Sequence, residues 1–123
     1  MQVFEAASRH MLWLSQRQAA TAENIANADT PGYRGKDIAP FDNVLHLTGL
    51  ALAQTGPGHM SSAAEATGSA EIRAQRPWDR SLSGNDVSLE QELMKASETG
   101  RMMALDTSLG RSFHRMFLSS VKV

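Results

Sequence analysis

The large apolar side chains of this chain lie at its two ends. Phe4, Met11, Leu12, Trp13 and Leu14 open it, and a run from Leu89 to Phe117 closes it. Between them, Gln54 to Ala70 is built mainly from Gly, Ser, Ala, Thr, Pro and His. Such a segment cannot offset its ordering entropy by burial, so it reads as a mobile loop. The 123 residues allow one domain at most. Much of the 41% apolar fraction is Ala, which buries little area per residue, so a deep core is not available.

Charge and cysteine count exclude whole classes of function. Twelve Lys and Arg against 13 Asp and Glu leave a net charge of −1, without the basic footprint of a nucleic-acid binder. The absence of Cys excludes a disulfide framework, a zinc ribbon and a thiol nucleophile. No stretch reaches the roughly 20 apolar residues of a membrane span, so the reading is not membrane-spanning. Glu5, Arg9 and His10 interrupt the apolar lean of Met1 to Leu14, which argues against a cleaved signal peptide.

The spacing predicts a long helix over 3–27. Phe4, Ala7, Met11, Leu14, Gln18, Thr21 and Ile25 recur at three and four along one stripe, and Ser15, Ala19, Ala22 and Ala26 form a second stripe of small residues. Asn27, Thr30 and Pro31-Gly32 stop this helix, with Pro31-Gly32 suited to the centre of a type II turn. Tyr33 to Phe41 reads as extended, Phe41 to Leu52 as a short helix, and Glu71 to Trp78 as an edge strand or hairpin arm.

A second long helix follows from residue 88. Ser88 is placed as N-cap with Gln91 completing a capping box, and Glu90 and Glu92 suit the positive pole of the dipole. Leu89, Leu93, Ala96, Gly100, Met103, Gly110 and Phe117 make one stripe, and Met102, Leu105, Leu109, Phe113 and Met116 a neighbouring one. A helix apolar on two faces wants two neighbours, and the chain offers one long helix. Gly100 and Gly110 are costly in a helix interior, which points to close packing or a bend. The methionines of this helix fit either core filler or an adaptable interface. The architecture is therefore mainly α: long terminal helices in an antiparallel, coiled-coil-like bundle around a small irregular middle, divided as 1–29, 30–87 and 88–123.

Nothing in the chain argues for catalysis. His10, His46, His59 and His114 are scattered, most carboxylates sit on helix starts or exposed faces, and no nucleophile elbow or phosphate-binding loop occurs. No catalytic, cofactor-binding or metal residues and no cofactor are assigned. The most specific segment is Asn24-Ile25-Ala26-Asn27-Ala28-Asp29-Thr30-Pro31-Gly32-Tyr33. A helix stop and a Pro-Gly turn account for most of it and leave Asn24 and Asn27, whose amides are placed to bond a neighbouring backbone.

That segment resembles the N-terminal signature of the bacterial flagellar rod and hook protein family. Ser83-Gly84-Asn85-Asp86-Val87-Ser88-Leu89 and the shortness of the chain are most like the proximal basal-body rod members. Glu98-Thr99-Gly100-Arg101-Met102-Met103 departs from the run the family more usually carries there. The resemblance implies a non-enzymatic building block of a hollow axial tube that transmits torque and carries exported subunits. Implied partners are copies of itself, other rod proteins, the adaptor FliE and the flagellar export gate. The implied location is the periplasm-spanning rod of the basal body, reached through the flagellar type III apparatus without signal cleavage. Asn24, Ile25, Ala26, Asn27, Thr30, Pro31, Gly32 and Tyr33 would carry the motif and turn. The subunit interface would use Phe4, Met11, Leu14, Ile25, Leu89, Leu93, Met102, Met103, Leu105, Leu109, Phe113 and Phe117. The alternative is a soluble helical binding module such as an export chaperone or small regulator.

Overall fold

In a computed structural model the described residues are 2–43, 70–78 and 81–121. They form α1 (Gln2–Ala26), β1 (Lys36–Ile38), β2 (Ile72–Ala74) and α2 (Leu89–Val121). At 1.5 Å per residue the helices are about 37 and about 50 Å long. They run antiparallel, and four contacts set the register. Phe4 meets Phe113 edge-on with ring centroids 6.1 Å apart, and His10 Nδ1 lies 2.6 Å from Asp106 Oδ2. Arg17 Nη1 is 3.4 Å from Glu98 Oε2, and Asn24 Nδ2 donates to Glu92 Oε2 at 3.1 Å. As one residue number rises the other falls in step, so the last turns of α2 run on beyond the first described residue of α1.

The helix stop falls where the sequence places it. α1 ends at Ala26, and Tyr33 N donates to Thr30 O at 3.2 Å across Pro31-Gly32. Gly32 has φ +72°, the value the third residue of a type II turn requires. The extended segment and the predicted arm then pair with each other. β1 and β2 are antiparallel, with Lys36 opposite Ala74, Asp37 opposite Arg73 and Ile38 opposite Ile72. Ala39 N to Glu71 O (2.8 Å) and Gln75 N to Gly35 O (2.9 Å) prolong the ladder. Of the predicted short helix only its start, Phe41 to Asn43, is described and helical; the rest lies outside the described residues, as do residues 54–69 of the predicted loop. Ala70 corrects that expectation at its end. It is buried, and its N–H donates to Gln16 Oε1 at 2.9 Å.

The core is small and one-sided. Trp13, Leu14, Ile38 and Ala70 form it, with Met11, Phe41, Met102 and Met103 packed against it. Trp13 Nε1 donates to Ala39 O at 2.8 Å, which ties the sheet to the middle of α1. The Trp13 and Phe41 rings flank His10, at 5.8 and 4.7 Å between centroids. Both methionines of α2 in this group are half-buried, which fits the core-filler reading for that pair.

The seam between the helices corrects the apolar-stripe expectation. Besides Leu14, the largest fully buried side chains are Glu92, Asn24 and Thr99. On α1 the seam passes through His10, Arg17 and Asn24, and on α2 through Glu92, Thr99, Asp106 and Phe113, each set spaced by seven residues. Leu89, Leu93, Leu105, Leu109 and Phe117 are exposed instead. A polar and an apolar stripe at helical spacing have the same period, so periodicity alone does not say which one turns inward. Among the described residues a Cβ on Gly100 or Gly110 would meet nothing within 4 Å, so close packing against them explains neither glycine.

Two stability measurements separate the inner and outer faces. Leu14→Ala, at a side chain with no exposure, should cost about 2–4 kcal/mol in urea denaturation of the isolated chain, whereas Leu105→Ala should stay within about 0.5 kcal/mol. Gly110→Ala should stabilise the same isolated chain by roughly 0.5–1 kcal/mol, because the space around it is open.

Candidate functional site at the junction of the two motif segments

Asn24 sits in the last turns of α1 and is completely buried. Its Oδ1 accepts from Lys36 N at 2.9 Å while its Nδ2 donates to Lys36 O at 2.7 Å, so one amide satisfies both backbone groups of the first residue of β1. The same Nδ2 lies 3.1 Å from both Gln75 Oε1 and Glu92 Oε2. Two protons therefore serve three acceptors, on the strand leaving the turn, the segment after β2 and the first turns of α2. Tyr33 OH also donates to Asn24 Oδ1, at 3.3 Å. Partial burial is the main reason the Tyr33 hydroxyl titrates above its ordinary range, with the charge of Glu23 adding to it. Only an amide, donor and acceptor at once, can fill this place.

The second motif segment closes on the first from the other side. Asn85 is buried, and its Nδ2 donates to Asn27 O, Ala28 O and Thr30 O at 2.9, 2.8 and 2.7 Å. These carbonyls lie just past the end of α1, where no further helical N–H exists to meet them. Asn85 Oδ1 accepts from Val87 N at 2.8 Å, and Asp86 Oδ1 from Gly35 N at 2.6 Å. Backbone bonds from Gly32 N to Ser83 O (3.0 Å) and from Asp86 N to Tyr33 O (3.2 Å) complete the lock. The two turns cross at their glycines: Gly84 has φ +81°, and a Cβ there would lie 3.7 Å from Gly32 Cα.

Charge is arranged beneath this lock. Lys95 Nζ lies 2.9 Å from Asp37 Oδ2 and 3.6 Å from Glu92 Oε1. Arg17 stands 3.8 Å from Asp37 Oδ1 and 3.4 Å from Glu98 Oε2, with its guanidinium over the Trp13 ring. At the surface a Lys36–Glu23 hydrogen bond of 2.6 Å holds the Glu23 carboxyl below and the Lys36 ammonium above their ordinary ranges. Glu92 lies in the first turn of α2 as expected, but it is also buried and accepts from Asn24 Nδ2, and Asp86 is buried too. The expected capping box is not closed, since Gln91 Oε1, the atom that would accept from Ser88 N, has no hydrogen-bond partner among the described residues, while its Nε2 donates to Arg76 O at 3.3 Å.

The motif residues thus divide by task. Asn24, Gly32 and Tyr33 form the lock. Asn27 lends its carbonyl to Asn85 but turns its own amide onto Glu23 O at 2.9 Å and accepts from Thr30 Oγ1. Ile25 is half-buried, and Ala26, Thr30 and Pro31 are exposed. Of the residues read as a subunit interface, Leu14 is spent inside the chain, and Met11, Met102 and Met103 pack against the core. Phe4, Leu89, Leu93, Leu105, Leu109 and Phe117 remain exposed, and Phe113 is half-buried. Sequence reasoning missed Glu92, Gln75 and Thr99; the seven-residue interval from Glu92 to Thr99 to Asp106 was the available signal. The geometry orders the chain.

The two asparagines of the motif should therefore differ sharply. Asn24→Ala strips the one hydrogen bond that the described residues give the buried Glu92 carboxylate and should cost about 2–4 kcal/mol. Asn27→Ala, at a half-buried site, should cost about 1 kcal/mol or less. Gly32→Val should cost about 1–2 kcal/mol through its positive φ. Urea denaturation of the three variants checks the order.

The same segment is matched in known proteins. Residues 11–34, covering most of α1 and the turn, match the model of the family described as flagella basal body rod protein. A flagellar basal body rod protein FlgB of Agrobacterium fabrum is 42% identical, over 99% of this chain and 94% of its own length. The FlgB proteins of Escherichia coli and Salmonella typhimurium are 36% and 35% identical, each over 63% of this chain and 62% of their own length. With a near-complete alignment to one relative and the signature segment folded into the lock, the chain belongs to the family of the flagellar basal body rod protein FlgB.

Proposed function

We propose that the chain works as one stave of the rod wall, self- and co-assembling through its terminal helices into a hollow axial tube that transmits torque and carries exported subunits. The family is structural and not enzymatic, it belongs to the flagellar basal body rod, and it assembles with other rod components. No helix among the described residues is long and apolar enough to cross a membrane.

One observation carries the tube reading. The seam inside the hairpin is polar, while Leu89, Leu93, Leu105, Leu109 and Phe117 point outward on α2. Covering each of these half-exposed side chains is worth roughly 1 kcal/mol, and parallel contacts over many subunits add. Such surfaces pack heterologously and need not close, which suits a tube. Phe4 is exposed and Ile25 and Phe113 are half-buried, whereas Leu14 is fully buried. The finer partners, copies of the chain, FliE and the flagellar export gate, rest on the resemblance of the motif segments. So do the periplasm-spanning position and export through the type III apparatus without signal cleavage.

Leu105→Glu and Phe117→Asp both sit on the exposed face and should leave expression and helical content unchanged. In a strain carrying either variant in place of the native chain, purified basal bodies should lack complete rods and cells should not swim. Normal rods and normal swimming in both would overturn the interface.

A further inference from the structure

Gly100 and Gly110 stand inside α2 without the close neighbour that would account for them. Glycine is the poorest helix former after proline, so an interior one needs either close packing or a bend. Among the described residues a Cβ on either would meet nothing within 4 Å, and α2 continues unbroken through both to Val121. Around Gly110 the other helix formers are weak as well, with Thr107, Ser108 and Ser112 within three residues of it. Thr107 Oγ1 donates to Met103 O at 2.8 Å, a back-bond of the kind that bends helices, and kinks recur where Gly and Ser fall together.

The two glycines differ in how α2 is held on either side of them. Gly100 is pinned on both: Asn24 to Glu92 and Arg17 to Glu98 precede it, and Met102, Met103 and the His10–Asp106 contact follow. A bend there would break one set or the other. Gly110 is pinned on one side only. Past it, the hydrogen bonds, ion pairs and ring contacts of the described residues tie α2 to the rest of the chain once, where Phe113 meets Phe4 edge-on. Phe113 is half-buried, and every other side chain from Arg111 to Val121 is exposed. The hydroxyls of this stretch that are bonded stay within α2, Ser119 Oγ to Met116 O and Ser120 Oγ to Phe117 O. A bend at Gly110 therefore gives up a single ring contact outside the helix itself.

We infer that Gly110 is a hinge: the chain exchanges between the straight α2 and a form in which residues 111–121 swing away from the start of α1 as a short helical arm. The arm carries Met116, Phe117 and Leu118, all exposed. Leu105 and Leu109 precede the hinge and keep the direction that the polar seam gives them in both forms, while Phe117 keeps it in the straight form. The hinge is a property of the single chain, goes beyond the tube reading and does not depend on it.

Distances between paired spin labels on the full chain test this, and the lack of native Cys keeps the labelling clean. Leu12, Leu105 and Leu118 are exposed and take the labels without disturbing the core. Leu118 stands eight residues past Gly110, about 12 Å along the axis, so a kink of about 20° moves it by about 4 Å. Leu12→Cys with Leu118→Cys should give two populations, whereas Leu12→Cys with Leu105→Cys, which stops short of the hinge, should give one. Adding Gly110→Ala to the first pair should leave only the straight population, and adding Gly100→Ala should leave both. A single narrow distance in the Leu118 pair, a second population that survives Gly110→Ala or vanishes with Gly100→Ala, or two populations in the Leu105 pair would each overturn the hinge. The tube reading stands or falls separately, on the basal bodies of the Leu105 and Phe117 variants.

Discussion

The fold depends on one buried amide. Asn24 holds both backbone groups of Lys36, a side-chain oxygen of Gln75 and a carboxylate oxygen of Glu92. Through them it fixes α1 to the sheet, to the segment behind the sheet and to α2. Leaving any of those groups unmet in the interior costs about 1–3 kcal/mol, more for the carboxylate. The apolar core around Trp13 and Leu14 is too small to absorb that loss. The hairpin is held by satisfied polar groups at one end and a modest apolar cluster at its middle.

This arrangement has a consequence for the surface. A helix pair whose seam buries Asn24, Glu92 and Thr99 and half-buries His10, Arg17 and Asp106 has less room to bury leucine. The large apolar residues of α2 are left outside, where a rod component needs them. A monomer built this way gives up core stability that an assembly of many copies recovers through intermolecular burial.

The parts legible in the sequence were those whose physics is local. The long helices followed from their length and periodicity, and the stop at Asn27 followed from Pro31 and Gly32. The partner of β2 was not legible, because Ile72, Arg73 and Ala74 are all exposed and show no alternation. The burial of Glu92 was not legible, because a glutamate in a first helical turn looks the same in sequence whether or not it also meets a buried amide. The motif carried the site more fully than its residues could explain one by one. Asn24 contacts Lys36 nearby in sequence, but Gln75 and Glu92 lie far along the chain, and nothing local announces them.

The distance between the motif and the apolar surface is itself informative. Shifting α2 by one residue against α1 turns every α2 side chain by about 100°. Such a slip would carry Glu92 away from Asn24 and Asp106 away from His10, breaking two buried or part-buried polar contacts at once. The polar seam therefore admits one register, as single polar layers do in helix pairs. Fixing the register fixes which direction Leu105, Leu109 and Phe117 face, many turns from the lock. A signature segment at the end of α1 and in the turn after it can thus govern side chains many turns away, because the helix between them transmits its rotation as a rigid rod.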